Sequence, residues 1–145
     1  MKIPTKTRYG MRLMLALALR YGEGTVFLKD IAKQEDISEK YLSLIIIPLK
    51  SAGLVKSTRG AHGGYMLGKD PMKITLDNIF MVMEGNQALV DCIKTPTLCN
   101  RALSCITKIV WEKVEDALHG VLNSMTLADL IMMHRTRQDV VSYNI

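Results

Sequence analysis

Apolar residues recur three and four apart along most of the chain, and the breaks in that spacing divide it into helices. From Thr5 to about Tyr21, Tyr9, Leu13, Leu17 and Arg20 share one face, with Met14 and Ala18 beside it, which predicts a first helix with a core-facing stripe. Thr5 is its expected N-cap, and Gly22 and Gly24 end it. Leu28, Ile31 and Ala32 mark a short second helix. The polar run "EDIS" then interrupts the pattern, and Ser38 can cap a third helix with Tyr41, Leu42, Ile45, Ile46 and Leu49 inward. Pro48 lies inside that helix and is expected to bend it near Leu44; Gly53 closes it.

The period then changes. Val55, Ser57 and Arg59 alternate in one direction, and Tyr65 and Leu67 return in the other, with Gly60, Gly63 and Gly64 between them. This is the pattern of a β-hairpin, and the glycines permit the positive φ angles of its turn. Two short helices joined by a tight turn and followed at once by a two-stranded ribbon predict a winged helix-turn-helix. In "ITLDNIFMVMEG", Thr75 is the expected N-cap and Leu76, Ile79 and Met83 face inward. A long amphipathic helix follows in "ITKIVWEKVEDALHGVLNSM". Ile106, Ile109, Val110, Lys113, Val114, Ala117, Val121 and Leu122 give it a face too broad for one small neighbour to cover. Self-association is the economical cover, with Ile106, Val110, Val114 and Val121 at the interface of a two-fold homodimer. Thr126 with "LAD" predicts a short final helix and then a polar tail. The expected fold is mainly α with a small β-hairpin wing. Residues 1–85 form the winged helix-turn-helix, 86–105 a cysteine-bearing loop, and 106–145 the dimerisation helix and a short C-terminal helix.

Composition narrows the class. With 145 residues and 48% hydrophobic content the chain can bury a core and is not disordered. The longest apolar run free of charge, Leu42 to Leu49, is far too short for a membrane span. The N-terminal apolar stretch carries Arg12 and lacks a small-residue cleavage site, so it reads as an ordinary helix. A cytoplasmic protein with reduced thiols and no membrane partner is expected. Lys and Arg outnumber Asp and Glu by 19 to 14, and the pI is near 9.2. That excess is compatible with a polyanion, but position is more informative than the total. Lys56, Arg59 and His62 cluster at the wing tip, and Ser38, Lys40 and Ser43 open the third helix. Cations at a wing tip suit phosphates or the narrow minor groove. A plain hairpin turn is the alternative, and the order of helix pair and wing favours double-stranded DNA.

All three cysteines lie in "DCIKTPTLCNRALSC", with six residues between Cys92 and Cys99 and five between Cys99 and Cys105. This is not the Cys-x-x-Cys spacing of a zinc knuckle or thioredoxin-type site. A metal or cluster site, a thiol redox switch and inert packing all remain open on spacing alone. Three thiolates are one short of the usual four ligands. Asp91, His62, His119, His134 or a residue of a partner subunit are candidates for the fourth place. No His or Glu stands near the thiols in sequence to serve as a catalytic base, which argues against an enzyme.

The opening "KIPTKTRYGMRLMLALA", the block "ISEKYLSLIIIPLKSAGLVKSTRGAHGGYMLGKD" and the ending "VLNSMTLADL" together resemble bacterial winged-helix repressors of the iron–sulfur regulator type. The wing "GLVKSTRGAHGGY" is the most specific part. The resemblance extends to about Leu130. It implies a homodimer, a palindromic operator and, where three cysteines are present, an iron–sulfur cluster of either 2Fe-2S or 4Fe-4S type. Cys92, Cys99 and Cys105 match the family's cluster cysteines, with the first gap one residue longer than in the cluster-assembly member. That member's histidine ligand falls on Lys108, and the carboxylate used by the nitric oxide-sensing member falls on Arg8. Arg59 matches a wing arginine that enters the minor groove, and Ser38 and Lys40 match contact positions at the start of the recognition helix. The family's Glu-Gln pair is replaced by Ser43 and Leu44. The expected function is a regulator, a repressor by family habit, whose operator binding depends on the cluster. The alternative is a cluster-free regulator of cysteine or sulfur metabolism, controlled by a protein partner or by thiol oxidation.

Overall fold

The stripe of the first helix vanishes into the interior. Leu13, Met14, Leu17 and Ala18 are buried, joined by Thr7, Gly10 and Ala16. The computed structural model describes residues 1–144. Among them the order is α1 (Thr5–Ala18), α2 (Leu28–Glu35), α3 (Glu39–Ser51), β1 (Val55–Thr58), β2 (Gly64–Leu67), α4 (Leu76–Glu84), α5 (Asp91–Lys94), α6 (Ile106–Asn123) and α7 (Leu127–Tyr143). Single 3-10 turns occur at Pro71–Lys73 and Pro96–Leu98.

Both ends of α1 differ from expectation. Pro4 takes the cap position, with its carbonyl accepting from Thr7 and Arg8 amides, while the Thr5 hydroxyl accepts from the Arg8 guanidinium at 3.1 Å. The helix stops at Ala18 because the next bonds, Arg20 N–H to Leu17 and Tyr21 N–H to Ala18, are three-residue turns leading to Gly22 at φ +84°. Arg20 therefore leaves the core face and is exposed.

The helix pair forms as the pattern predicts. Leu28, Ile31 and Ala32 of α2 are buried, as are Leu42, Ile45, Ile46 and Leu49 of α3. Asp36 turns the chain between them in the left-handed region at φ +52°, a conformation Asp tolerates better than most residues. The Ile37 amide then closes α2 on the Ala32 carbonyl at 3.0 Å. Ser38 caps α3 by accepting from the Tyr41 amide at 3.1 Å. The helix continues through Pro48 to Ser51. Its four buried aliphatic side chains contribute roughly 1.5–3 kcal/mol each.

The strands of the hairpin pair antiparallel from Val55 with Leu67 to Thr58 with Gly64. The two inward ends, Val55 and Leu67, join the core. α4 begins with a reciprocal cap: Thr75 accepts from the Asn78 amide while Asn78 accepts from the Thr75 amide. Leu76, Ile79 and Met83 are buried beneath it. α1 runs through the middle of this head and packs against α2, α3, α4, β2 and α7.

The last contact was not foreseen. The final helix is not short: it runs 17 residues, through the stretch read as a polar tail. A second reciprocal cap, Thr126 with Asp129, starts it, and no Gly or Pro follows to stop it. Leu127 is 0% exposed and belongs to the same core as Leu13 and Ile79. Backbone bonds from Leu127 N–H to Ile74 (3.0 Å) and from Leu76 N–H to Met125 (2.9 Å) set the two capped helix starts side by side.

Candidate nucleic-acid interface and cysteine segment

On α3, burial of Leu42, Ile45, Ile46 and Leu49 fixes which side faces out. At 100° per residue, Lys40, Leu44, Ile47 and Ser51 stand opposite that stripe, with Ser43 and Lys50 flanking them. All six are exposed. The Ser43 hydroxyl donates to the Glu39 carbonyl at 2.8 Å, and Ser38 is engaged as the cap. Lys40 carries its charge freely at the second helical position: among the described residues it makes no ion pair.

The wing tip carries Arg59 and His62, both exposed, with Lys56 exposed on β1. None of the three enters an ion pair among the described residues. Gly60 turns the chain at φ +105° and its carbonyl accepts from Gly63 N–H at 2.9 Å. Gly64 lies so close to Val26 that a Cβ would meet the Val26 carbonyl oxygen at 2.6 Å. That approach is productive, because Val26 and Tyr65 exchange both backbone hydrogen bonds at 2.8 and 2.9 Å. Thr25 adds a hydroxyl donated to the His62 carbonyl at 2.8 Å, with the Gly63 carbonyl at 3.3 Å. Thr25 and Val26 thus hold the tip from below, which sequence reading missed. Two β-formers between a glycine pair and α2 were the available signal.

α6 has two faces. Lys108, Glu112, Glu115, Leu118, His119 and Leu122 are half-buried along the side nearer the rest of the chain. His119 Nδ1 lies 2.6 Å from Asp77 of α4, and Asn123 donates to the same carboxylate at 3.2 Å. The opposite side carries Ile106, Val110, Val114 and Val121, with Ile106 75% and Val121 59% exposed. No residue of this helix is fully buried. Trp111, absent from the expected face, is exposed as well.

The cysteine segment is built of short pieces rather than an irregular loop. Cys92 is half-buried on the single turn α5, Cys99 is exposed at the end of a 3-10 turn, and Cys105 is half-buried at the N-cap of α6. The Cys105 thiol is held below its ordinary pKa, first by the Thr107 hydroxyl at 3.2 Å, then by the Lys108 and Thr107 amides at the helix start, with Arg101 adding to the effect; partial desolvation opposes them. All three cysteines are free thiols. Among the described residues, no three His, Cys, Asp or Glu side chains gather into a group that could hold a metal ion. As folded here, the donors therefore do not fit a cluster. Lys108 is committed to Glu112 at 3.2 Å and His119 to Asp77, while His62 sits on the wing and His134 on α7.

This arrangement defines a class, the winged helix-turn-helix transcription regulators. The model of the Rrf2 family, described as iron-dependent transcriptional regulators, matches residues 3–133, and the chain belongs to that family. It is accordingly a transcription regulator and not an enzyme. It is 45% identical over 130 residues to the HTH-type transcriptional regulator CymR of Bacillus subtilis, covering 90% of this chain and 89% of the relative. The solved structure of CymR, called there the global cysteine regulator of B. subtilis, matches with a TM-score of 0.77 at 42% identity, covering 92% of this chain and 98% of that one. The structure of T. potens IscR matches with a TM-score of 0.80 at 40% identity, covering 95% and 91%. No helix among the described residues is long and apolar enough to cross a membrane.

Proposed function

We propose that this chain is a homodimeric repressor that binds a palindromic operator in cytoplasmic DNA and is controlled at the segment from Asp91 to Cys105. The observation that carries the reading is the pairing of two uncovered surfaces. One holds Lys40, Lys56, Arg59 and His62 on α3 and the wing, and the other is the apolar side of α6. In a helix-turn-helix, the second helix enters the major groove while adjoining elements touch the backbone. Ser38, Lys40 and Ser43 lie at the end of α3 that would enter first, and Arg59 at a tip suited to the minor groove. Pairing through Ile106, Val110, Val114 and Val121 would present two such heads to half-sites about one helical turn, ~34–36 Å, apart.

The control has two readings. Cys92, Cys99 and Cys105 as ligands of an iron–sulfur cluster are supported by three thiols on one short segment and by the family's iron-dependent description. The ungathered thiols count against that reading in this conformation. A cluster-free regulator of cysteine or sulfur metabolism, answering to a protein partner or to thiol oxidation, is supported by the likeness to CymR and by the stabilised thiolate of Cys105. Iron and sulfide content of anaerobically purified protein, beside single Cys→Ala variants, separates the two. Iron and sulfide lost with each substitution establish the cluster, and their absence from reconstituted wild type removes it. Binding of selected DNA duplexes in a gel-shift titration tests the regulator itself.

A further inference from the structure

The outward side of α3 has an unusual composition for a helix that reads bases. Bidentate recognition of guanine or adenine needs Arg, Lys, Asn or Gln. From Glu39 to Ser51 this helix has no Arg, Asn or Gln, and its two lysines, Lys40 and Lys50, lie near its ends. Ser43 spends its hydroxyl proton on the Glu39 carbonyl. Between the lysines, the middle of the outward side is occupied by Leu44 and Ile47, 59% and 58% exposed. Leu44 borders a shallow cleft with Tyr41 and Pro48 on one flank. Scattered exposed aliphatic residues are ordinary. Two on consecutive turns, bracketed by Lys40 and Lys50, which make no ion pair among the described residues, and centred on the side facing away from the core, suit a partner with both negative charge and apolar groups.

We infer that Leu44 and Ile47 are specificity-determining residues that read thymine C5-methyl groups in the major groove of each half-site. This rests on the DNA-binding reading above and adds the chemistry of what is read. The thymine methyl is the apolar group that B-DNA displays on its major-groove edge, and it is what an aliphatic side chain can recognise there. Lys40 and Lys50 supply the positive ends that the flanking phosphates require. The two side chains are about 4.5 Å apart along the helix axis, a little more than the ~3.4 Å rise of one base step. They therefore match thymines on the same or neighbouring base pairs. The operator core should be rich in A·T pairs for a reason of shape and apolar contact, not of hydrogen bonding.

The test uses duplexes that the full-length wild-type protein recovers from a random-sequence pool. Each thymine is then replaced in turn by deoxyuridine, which deletes only the methyl group. One or two thymines in each half-site should weaken binding about threefold to tenfold when replaced, as loss of one or two buried methyl contacts does. Leu44→Ala and Ile47→Ala should each bind the thymine and uridine forms equally at one of those positions. Leu44→Met, which keeps apolar reach, should retain the discrimination. Both side chains are exposed, so the alanine variants should fold, as an unchanged thermal transition would verify. A preferred sequence whose binding ignores every methyl, or discrimination that survives in both alanine variants, overturns this inference while leaving the regulator intact. A pool that yields no preferred sequence overturns the proposed operator recognition, and this inference with it.

Discussion

A single charge on the outer side of α6 should convert the proposed dimer into monomers. Val121→Glu is the sharper choice, because Val121 is uncovered in the isolated chain and lies away from the His119–Asp77 contact. In a two-fold interface each substitution enters twice, once from either subunit. Taking an unpaired carboxylate out of water costs several kcal/mol even after relaxation, about 2–3 kcal/mol per copy on a cautious view. Loss of the valine's apolar contact adds roughly 1 kcal/mol per copy. The total, about 6–8 kcal/mol per dimer, corresponds to a dissociation constant raised by about four to six powers of ten, since each 1.4 kcal/mol is tenfold. A nanomolar dimer would thus dissociate with a constant of about 10 µM to 1 mM and be monomeric in the low-micromolar part of a sedimentation series. Val114→Glu should act in the same direction, whereas Lys33→Gln, exposed on α2 and away from α6, should change little. Sedimentation velocity over a hundredfold concentration range reads the mass directly, and far-UV circular dichroism verifies that the variants stay folded. Monomeric variants should also lose binding to a two-half-site duplex, because one head keeps only part of the contacts. Dimers of unchanged stability in both glutamate variants would place the interface elsewhere and refute the assignment of this face.

Arg59→Ala should weaken binding of a selected operator by about 1–3 kcal/mol, read as a shift of about five- to 150-fold in a gel-shift titration. Equal affinities would remove the wing tip from recognition. Lys40→Ala should weaken specific and random duplexes alike and lower the slope of log affinity against log salt by about one per head; an unchanged slope would mean that this amine does not touch phosphate. Leu127→Ala should destabilise the protein by about 2–5 kcal/mol in urea unfolding, because it opens a cavity in the core of the head. A loss below about 1 kcal/mol would show that α7 is not docked as described.

The helix-turn-helix and α4 were readable in the chain because several signals coincide there. Leu42, Ile45, Ile46 and Leu49 keep a helical period, Ser38 supplies a cap, and the same holds for Leu76, Ile79, Met83 and Thr75. The wing was readable from a period of two flanking glycines. α7 was not, because its helicity depends on the Thr126 cap and the absence of breakers rather than on an apolar stripe. After Leu127, Leu130 and Ile131 its residues are mostly polar or exposed. The Val26–Tyr65 bridge is too short to show any period, so only its chemistry hinted at it. The sequence extends α1 three residues too far because Arg20 falls on the helical spacing of Tyr9, Leu13 and Leu17, although the backbone has already left the helix at Ala18. Cysteine spacing said which thiols could converge but nothing about whether they do, since convergence depends on how α5 and the 3-10 turn orient them.

The side-by-side starts of α4 and α7 bear on how such proteins can be recombined. Joined at Thr75 and Thr126, the chain from Leu76 to Met125 is a closed loop whose two feet stand on the same spot of the reading head. The head is therefore assembled from segments on both sides of that loop, and a fragment cut after Gly85 would leave the place of Leu127 empty. A chimera that grafts the stretch from Leu76 to Met125 of one such protein onto the head of another must keep a Thr126 and a Leu127 that match the recipient head. Conversely, a backbone nick within the cysteine segment should leave two pieces held together as one particle, since α7 on the far piece remains plugged into the core of the near one.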